Sequence, residues 1–281
     1  MIRINRKSRI FSSSTKEPVI RAVKNLRRDL EMCCLESADE GDSIRLLEGS
    51  QEEECFSLYV AGRELVIEAG SERGFVYGIY AVSSRILGVA PFWFWNDQQL
   101  IRQKFYTVED GFRYESTPFA VKYRGWFVND EVLIHTWHVD RSKDKPWEMV
   151  FEALLRLGGN MVIPGTDSNS KRYKGLAAAM GLAITHHHAE PLGAEMFARA
   201  YPGVNPSYDE NRELFEKIWR EGIREQKGME VIWNLGFRGQ GDYPFWENDP
   251  RYETPQMRGE LMGRLIRIQY DMVKEEVPDA V

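Results

Sequence analysis

Four clusters of polar and charged residues follow short apolar segments in the second part of this sequence. They are Asn129-Asp130-Glu131, Thr166 to Asn169, His186 to Glu190, and Arg238 to Asp242. Carboxylates can move protons, histidines can hydrogen-bond or bind metal, and an arginine offers a fork of donors to a carboxylate. The second cluster has the residue types of a helix start. The other three could bind a polar small molecule and act on it by acid–base chemistry.

The three consecutive histidines are the densest of these clusters, since the chain has only five histidines. If the segment is a strand, His187 faces away from His186 and His188. The three rings then cannot converge on one metal ion, and no cysteine pair or His-Glu-x-x-His motif offers other ligands. We therefore expect no metal and no cofactor. Either the histidines and Glu190 form the rim of a pocket, or individual histidines hydrogen-bond to loops there.

Carboxylates, an arginine and aromatic residues together favour a sugar-binding pocket. Asp130 follows the apolar run Gly125 to Val128, so a carboxylate of this cluster is expected at a pocket floor. Arg238 and Asp242 could bind substrate or form an ion pair with each other. Aromatic faces pack against sugar rings, and an arginine suits a sugar carboxylate. The nearby tryptophans are Trp126, Trp137, Trp233 and Trp246.

Alternating strands and helices must position these clusters. From residue 116 onward, four apolar segments (FAVKYRGWFVNDE, NMVIPGTDSNS, LAITHHHAEPLG and MEVIWNLGFRGQGD) are each followed by an amphipathic helix pattern. Each segment ends in polar side chains, as at the C-terminal face of a (β/α)8 TIM barrel, and no Gly-x-Gly-x-x-Gly turn marks a dinucleotide fold. We predict the first half of a barrel over 116–281, with an open four-stranded sheet as the alternative. A complete barrel takes about 250 residues, so we expect an incomplete N-terminal fragment.

Residues 1–115 predict a small α/β domain that precedes the barrel. A helix is expected from Lys16 with Pro18 in its first turn, and a hairpin around Ala61-Gly62-Arg63. A second helix is expected between an N-cap at Ser71 and a C-cap at Gly88. The fold class is therefore α/β, with a small N-terminal domain followed by the first half of a barrel in a truncated chain.

Composition narrows the partners. The 281 residues carry a formal net charge of −6 and are 43% hydrophobic, so a sizeable core can form. An acidic chain argues against nucleic acid or an anionic membrane as the main partner. No signal peptide is visible and the three cysteines show no disulfide pattern. We expect a cytoplasmic protein, or a secreted or periplasmic one if an export signal was removed.

Four motifs in this order, RGWFVNDE, IPGTDSNS, THHHAEPLGAEMFARAYPG and WNLGFRGQGD, resemble glycoside hydrolase family 115, the xylan α-1,2-glucuronidases. The helix SERGFVYGIYAVSSRILGV is similar to one in the small domain that precedes the catalytic barrel of this and related families. The resemblance implies an enzyme that removes glucuronic or 4-O-methylglucuronic acid from glucuronoxylan or xylo-oligosaccharides with inversion. It also implies a much longer parent protein, which we expect to be a homodimer.

The resemblance assigns roles to residues at the matching motif positions. It implies catalytic carboxylates, without separating acid from base, and a set of substrate-binding residues with Arg238 on the uronate carboxylate. The carboxylates are Asp130, Glu190 and Asp242, and the substrate-binding residues are Arg238, His187, His188, Asn129 and Trp126. The isolated fragment is expected to be inactive. The alternative is a non-catalytic carbohydrate-binding protein on the same scaffold.

Overall fold

The structure is a computed structural model that describes residues 1–129, 134–239, 243–247 and 249–281. The helices are α1 (Glu17–Cys33), α2 (Glu72–Arg85), α3 (Asp144–Arg156), α4 (Asp167–Ala179), α5 (Phe197–Ala200), α6 (Tyr208–Glu225) and α7 (Pro255–Glu276). The strands are β1 (Ile2–Ile4), β2 (Ile10–Phe11), β3 (Ser43–Glu48), β4 (Phe56–Ala61), β5 (Glu64–Ala69), β6 (Tyr106–Val108), β7 (Arg113–Glu115), β8 (Gly125–Phe127), β9 (Met161–Ile163) and β10 (Ala183–Ile184). Short 3₁₀ turns cover Pro191–Gly193 and Pro250–Tyr252. None of the described helices has the length and apolarity needed to cross a bilayer.

The described residues form two compact units. The first comprises Met1–Gly125, Asp144–Asn160 and Ala179–Leu182, and the second comprises Trp126–Lys143, Met161–Ala178 and Ala183–Val281. The sequence expectation of a mixed α/β protein is confirmed, since both units contain sheet and helix.

The first unit is built on a five-stranded sheet in the order β2-β3-β5-β4-β7. β3 and β5 are parallel, whereas β4 and β5 form the antiparallel hairpin that the sequence predicts, with Gly62 in the turn at a φ of +60°. The predicted first helix is confirmed: Pro18 lies in the first turn of α1, and the buried face includes Leu26 and Leu30. α1 contacts α2, and α2 contacts β4 and β5.

The second predicted helix begins as expected and ends slightly earlier. The Ser71 side chain accepts a hydrogen bond of 3.1 Å from the Gly74 backbone N–H, which is the expected N-cap of α2. The C-cap is Ile86 rather than Gly88, so the prediction was wrong by two residues. Gly88 instead supplies the left-handed conformation of the following turn, with a φ of +73°.

A buried ring of two acids and two bases joins α1 to α3 within the first unit. Arg28 contacts Glu152 at 2.6 Å and Asp29 at 2.8 Å, while Arg156 contacts Asp29 at 2.5 Å and Glu152 at 2.8 Å. The side chains of Asp29, Glu152 and Arg156 are at most 2% exposed. Burial alone would raise the pKa of Glu152, but the hydrogen bond from Arg28 and the charges of both arginines lower it to about 2. Glu152 is therefore ionised at neutral pH, and the pKa values of Arg28 and Arg156 are raised by the neighbouring acids, so both arginines are charged.

The second unit contains a sheet in the order β8-β9-β10. β9 and β10 run parallel, and a parallel bridge between Ile184 and Val231 adds the next segment of chain beside β10. The strands therefore lie in the sheet in the same order as in the sequence. Helix α4 connects β9 to β10, as the repeating strand-and-helix pattern predicts.

Over residues 229–239, the described part of the predicted fourth segment, a strand pairing is present only as that single bridge at Val231. Beyond it, the backbone finds partners that are not strands. The Trp233 N–H donates to the Val281 carbonyl at 3.2 Å. The side-chain amide of Gln269 donates to the carbonyl of Gly236 and accepts from its N–H, both at 2.8 Å. Because these groups are already satisfied, no further ladder forms among the described residues.

An aromatic core packs the end of this segment against α6. Trp219 of α6 is 1% exposed and stacks on Tyr208, with ring centroids 5.7 Å apart. Phe237 meets the Phe215 ring edge-on at 5.1 Å and is itself buried. Since Phe237 directly precedes Arg238, this core fixes the backbone from which the arginine side chain leaves.

Replacing Glu152 with alanine removes one of the two carboxylates that neutralise the largely buried Arg28 and Arg156. We expect the free energy of unfolding to fall by about 3–5 kcal/mol, as for other broken buried pairs. Urea denaturation monitored by circular dichroism measures the change. The matched control is Glu148→Ala on the same helix, whose ion pair with Lys145 is a third exposed and should cost about 0.5 kcal/mol or less. Equal losses in the two variants would contradict the buried-ring account.

Candidate functional site

One cavity of the second unit brings together four residues that the sequence analysis singled out. The space has a volume of about 610 Å³ and is lined by Arg238, His186, His188 and Trp246. Asn234 and Met262 also line it. Among its described lining residues, Arg238 alone carries a permanent charge, and none is an aspartate or a glutamate. An arginine beside an aromatic wall matches a ring-shaped ligand that carries a carboxylate.

Packing holds both the arginine and the tryptophan of this cavity in place. Phe237 anchors the backbone of Arg238 in the aromatic core described above. The Trp246 ring is 37% exposed, and the guanidinium of Arg258 lies over it at 4.8 Å from the ring centroid. Phe245 meets the Trp246 ring edge-on at 5.0 Å. Contacts on two sides therefore restrict the motion of an indole that faces the cavity.

The three histidines do not lie in a strand, so the predicted alternation of their side chains was wrong. β10 ends at Ile184, and the chain then turns out of the sheet. As a result, the rings of His187 and His188 are neighbours, with centroids 3.8 Å apart. His187 also stacks on Phe127 of β8 at 5.3 Å, whereas His186 is buried. The cluster thus divides into one core residue and two residues at the surface side of the loop.

His186 is held in a network of side chains and backbone that fixes its protonation. The amide nitrogen of Gln226 donates to the carbonyls of Leu192 (3.1 Å) and Gly222 (2.9 Å), so its oxygen faces His186. That oxygen can only accept, and therefore Nε2 of His186 carries the hydrogen in their 2.5 Å contact. Nδ1 is then the acceptor for the Ser170 hydroxyl at 3.3 Å. Because burial lowers the pKa of His186 from 6.5 to about 4, with the charge of Lys174 adding to the effect and the Gln226 hydrogen bond opposing it, the ring is neutral at pH 7.

The loop that carries the histidines approaches α6 very closely. Leu192 and Gly193 are both in the left-handed region, with φ values of +62° and +67°. At Gly222 of α6, a Cβ atom would lie 2.9 Å from the Leu192 carbonyl oxygen and 3.0 Å from the Ala194 nitrogen. A glycine at this position lets the loop backbone pack directly on the helix.

Glu190 lies away from the arginine cavity. One of its carboxylate oxygens accepts a 2.6 Å hydrogen bond from the backbone N–H of Asp167, at the start of α4. Glu190 is 3% exposed and lines a different cavity, of about 480 Å³, together with Arg199. Asp167 forms an ion pair with Arg199 at the same place. The described contacts of Glu190 therefore anchor a helix start, which itself lies at the predicted position.

The remaining predicted residues are more dispersed. Asn129 follows β8 and is exposed, whereas Trp126 lies within β8 and is half-buried. Neither is among the described residues that line the arginine cavity. Trp137 is 44% exposed, and Trp233 packs on the aromatic core. Two predicted catalytic carboxylates lie outside the described residues: Asp130 and Asp242. Within the described part of the chain, no group of three or more His, Cys, Asp or Glu is arranged to hold a metal ion.

The sequence analysis missed Asn234, which ties two site loops together. Its side-chain amide donates to the carbonyl of His187 at 3.0 Å, and its backbone carbonyl accepts from the Leu192 N–H at 3.1 Å. Asn234 also lines the arginine cavity. A single asparagine between Trp233 and Leu235 gave no pattern from which this could have been predicted.

Acid should destabilise the protein through His186. The unfolded state takes up a proton near pH 6.5, while the native state takes it up only near pH 4. Between these values the unfolded state binds more protons, so the free energy of unfolding should fall with falling pH, by about 3 kcal/mol in total. The contribution is fully present above pH 6.5. Urea denaturation at a series of pH values should show the loss in the wild type and in His188→Gln, and a much smaller one in His186→Gln. An unchanged pH profile in His186→Gln would contradict this account.

Two glycine-to-alanine changes in helices should have opposite signs. Gly222→Ala forces the new Cβ against the Leu192 and Ala194 backbone and should cost about 1–3 kcal/mol. Gly263 of α7 has nothing within 4 Å of a Cβ, and Gly263→Ala should stabilise by up to about 1 kcal/mol. Thermal unfolding of the two variants checks this. A neutral Gly222→Ala would mean that the loop does not pack on α6 as described.

Comparison with solved structures shows where this fold occurs. The chain resembles BtGH115A, a family GH115 4-O-methyl-α-glucuronidase with specificity for decorated arabinogalactans, with a TM-score of 0.78 and 24% identity over 99% of this chain and 41% of that one. It resembles a chitobiase of Flavobacterium johnsoniae with a TM-score of 0.57 and 15% identity, over 98% of this chain and 49% of that one. For an exo-β-N-acetylglucosaminidase of Vibrio harveyi the TM-score is 0.61 at 13% identity, over 98% and 51%. These likenesses show the fold, and the chain spans about two fifths to one half of each protein.

Sequence comparison adds the family. No curated protein matches this sequence. The profile of glycosyl hydrolase family 115 matches residues 116–281, which include all four polar clusters. The match covers more than half of the chain, and the resemblance seen in the motifs is thereby confirmed. This chain belongs to glycosyl hydrolase family 115.

Proposed function

We propose that the protein containing this chain removes glucuronic acid or 4-O-methylglucuronic acid side chains from xylan by inverting hydrolysis. Family membership supports the hydrolysis of a glycosidic bond. The similar structure BtGH115A is a 4-O-methyl-α-glucuronidase with specificity for decorated arabinogalactans, which supports the uronic acid. Because BtGH115A acts on arabinogalactans, the polysaccharide backbone could be galactan instead of xylan. The identity of this backbone therefore needs the most direct test.

The observation that carries this proposal is the charge of the Arg238 cavity. Its described lining has one permanent positive charge, no carboxylate, and the exposed indole of Trp246. A guanidinium binds a planar carboxylate through two parallel hydrogen bonds, and an indole packs against the C–H face of a sugar ring. Both features of a uronic acid thus find a partner in one cavity.

The chemistry requires an acid and a base on opposite sides of the glycosidic bond. In inverting hydrolysis the acid protonates the leaving oxygen and the base activates water, with their carboxyl groups about 6.5–9.5 Å apart. Asp130, Glu190 and Asp242 are the proposed carboxylates. The hydrogen bond of Glu190 to the start of α4 gives this residue a positioning role as well. The residues proposed to contact sugar hydroxyls and the ring are His187, His188, Asn129 and Trp126.

We also propose that residues 116–281 are the first half of a (β/α)8 barrel and that 1–115 form a separate preceding domain. The sheet order β8-β9-β10, in which β9 and β10 are parallel and Val231 lies next in line, supports the barrel. The start of the family match at residue 116 supports the boundary. Because the chain spans 41% of BtGH115A, the barrel would be completed by further residues of the parent protein. On this proposal the isolated chain has no turnover.

Removing the charge of Arg238 should weaken catalysis on uronates specifically. Hydrogen bonds to a charged ligand contribute about 1.5–3 kcal/mol, so Arg238→Met in the full-length parent should lower kcat/KM on glucuronoxylan about 100-fold. Arg238→Lys should retain part of the activity. On a substrate whose carboxylate is esterified, wild type and Arg238→Met should differ little. The control Arg267→Met, at an exposed site on α7, should leave both rates unchanged, and an equal loss on both substrates would contradict carboxylate binding.

The stereochemistry and the catalytic carboxylates need their own experiment. Proton NMR during glucuronoxylan hydrolysis by the parent should show the inverted anomer appear first, before mutarotation. Asp130→Asn and Asp242→Asn should each reduce kcat by about 1000-fold or more if they are the acid and base. Full activity in both variants would refute this assignment. Uronate binding with no release by the wild-type parent would favour the non-catalytic carbohydrate-binding alternative.

A further inference from the structure

A second cavity, of about 850 Å³, adjoins the arginine cavity in the second unit. The two share Pro244 and Phe245 as lining residues. They are also neighbours along the chain, because Arg238 lines the first and Gly239 lines the second. Only Pro244 and Phe245 separate the two cavities, so one ligand can occupy both.

The second cavity differs from the first in its charge. Its described lining includes three carboxylates, Glu210, Glu247 and Asp249, and one base, Arg251. Arg251 donates to Asp249 at 2.7 Å and to Glu210 at 2.8 Å, so its charge is balanced within the wall. The wall as a whole is acidic. An anionic group would be repelled here, whereas carboxylates are good acceptors for sugar hydroxyls.

An aromatic ring stands open at this cavity. Tyr243 is 68% exposed and lines the space beside Phe245. An aromatic side chain with so much exposed surface is a ready platform for the C–H face of a sugar. Asn205, whose amide donates to Glu210 at 2.8 Å, adds a further polar group to the wall.

The floor of the cavity is closely packed. Gly239 has a φ of +79°, and a Cβ atom there would lie 3.1 Å from Cβ of Phe245 and 3.3 Å from the carbonyl oxygen of Pro206. The backbone at Gly239 thus packs directly against Phe245 on one side and Pro206 on the other. Such contact favours a preformed cavity over one that must be assembled by the ligand.

We propose that this second cavity binds a neutral oligosaccharide, namely the main-chain sugars that carry the uronic acid held by Arg238. The identification of these sugars as the polysaccharide main chain rests on the proposed function. The assignment to neutral sugars rests on the acidic wall and the exposed Tyr243 ring. The division of labour follows from charge: the carboxylate is bound where the arginine lies, and uncharged sugar rings are bound where the carboxylates lie.

The test uses the full-length parent protein and two probes measured separately. Isothermal titration calorimetry with neutral xylohexaose or a neutral galactan oligosaccharide reports on the second cavity, and titration with glucuronic acid reports on the first. Tyr243→Ala should weaken neutral oligosaccharide binding about 10-fold, or about 1.4 kcal/mol, and leave glucuronic acid binding unchanged. Arg238→Met should do the reverse. Tyr270→Ala, at an exposed tyrosine of α7, is the matched control and should change neither affinity.

Failure of this inference can be distinguished from failure of the proposed function. If neither neutral oligosaccharide binds, or if binding is unchanged in Tyr243→Ala, the inference is overturned. If glucuronic acid fails to bind while oligosaccharide binding depends on Tyr243, the second site stands and the uronate site is refuted. Competition between the two probes would also overturn the inference, because separate cavities must bind both at once. An unchanged melting temperature of Tyr243→Ala ensures that the comparison concerns binding alone.

Discussion

The side-chain amide of Gln226 is the constraint on which the candidate site depends most. It fills three hydrogen-bonding roles at once, with Leu192, Gly222 and His186 as partners. Through them it joins α6 to the loop that follows β10. That loop carries His187, His188 and Glu190, so their positions follow from one buried amide. A residue that is 1% exposed thus helps to set the geometry of the half-buried His187 and the exposed His188.

The two neighbouring cavities share a wall and differ in charge. This difference would favour one orientation of a ligand that spans both cavities. An arginine in one and carboxylates in the other create an electrostatic gradient across Pro244 and Phe245. A branched glycan with one acidic side chain is itself polarised in this way. Complementary charge fixes orientation and discriminates between partners more than it adds affinity. A linear neutral glycan could satisfy only one half of the arrangement.

Secondary structure in this chain was predictable where local sequence determines it. Ser71 before α2 and Pro18 in α1 act through contacts within one turn, and the Gly62 hairpin needs only its own backbone conformation. The sequence could not predict that the fourth strand shortens to a single bridge. The residues after the bridge bind the Gln269 side chain of α7 and the carbonyl of Val281, which lie far away in the sequence. The histidines failed for a related reason. Where β10 ends depends on contacts with Val162 and Glu230, and a triplet of identical residues shows no periodicity.

The site could be predicted in part. Arg238, His188 and Trp246 belong to one cavity because the carboxyl ends of parallel strands meet at one edge of a sheet. Glu190 follows the same strand and yet belongs to another cavity, since the left-handed Leu192 and Gly193 turn the loop toward α6. Asn234 and Gln226 contribute through backbone carbonyls distant in sequence, and no spacing rule reports on those.

The ring of charges between α1 and α3 has a consequence for how such a sequence can change over generations. Each acid contacts both bases, and all four side chains lie within one closed circuit. Substituting one member leaves two like charges that share a single opposite charge, so the energetic effects of the four positions are not additive. The effect of a substitution at Asp29 should therefore depend on the residue at position 156, although 127 positions separate them. In related proteins that contain both helices, we therefore expect the four charged residues to be retained together or replaced together.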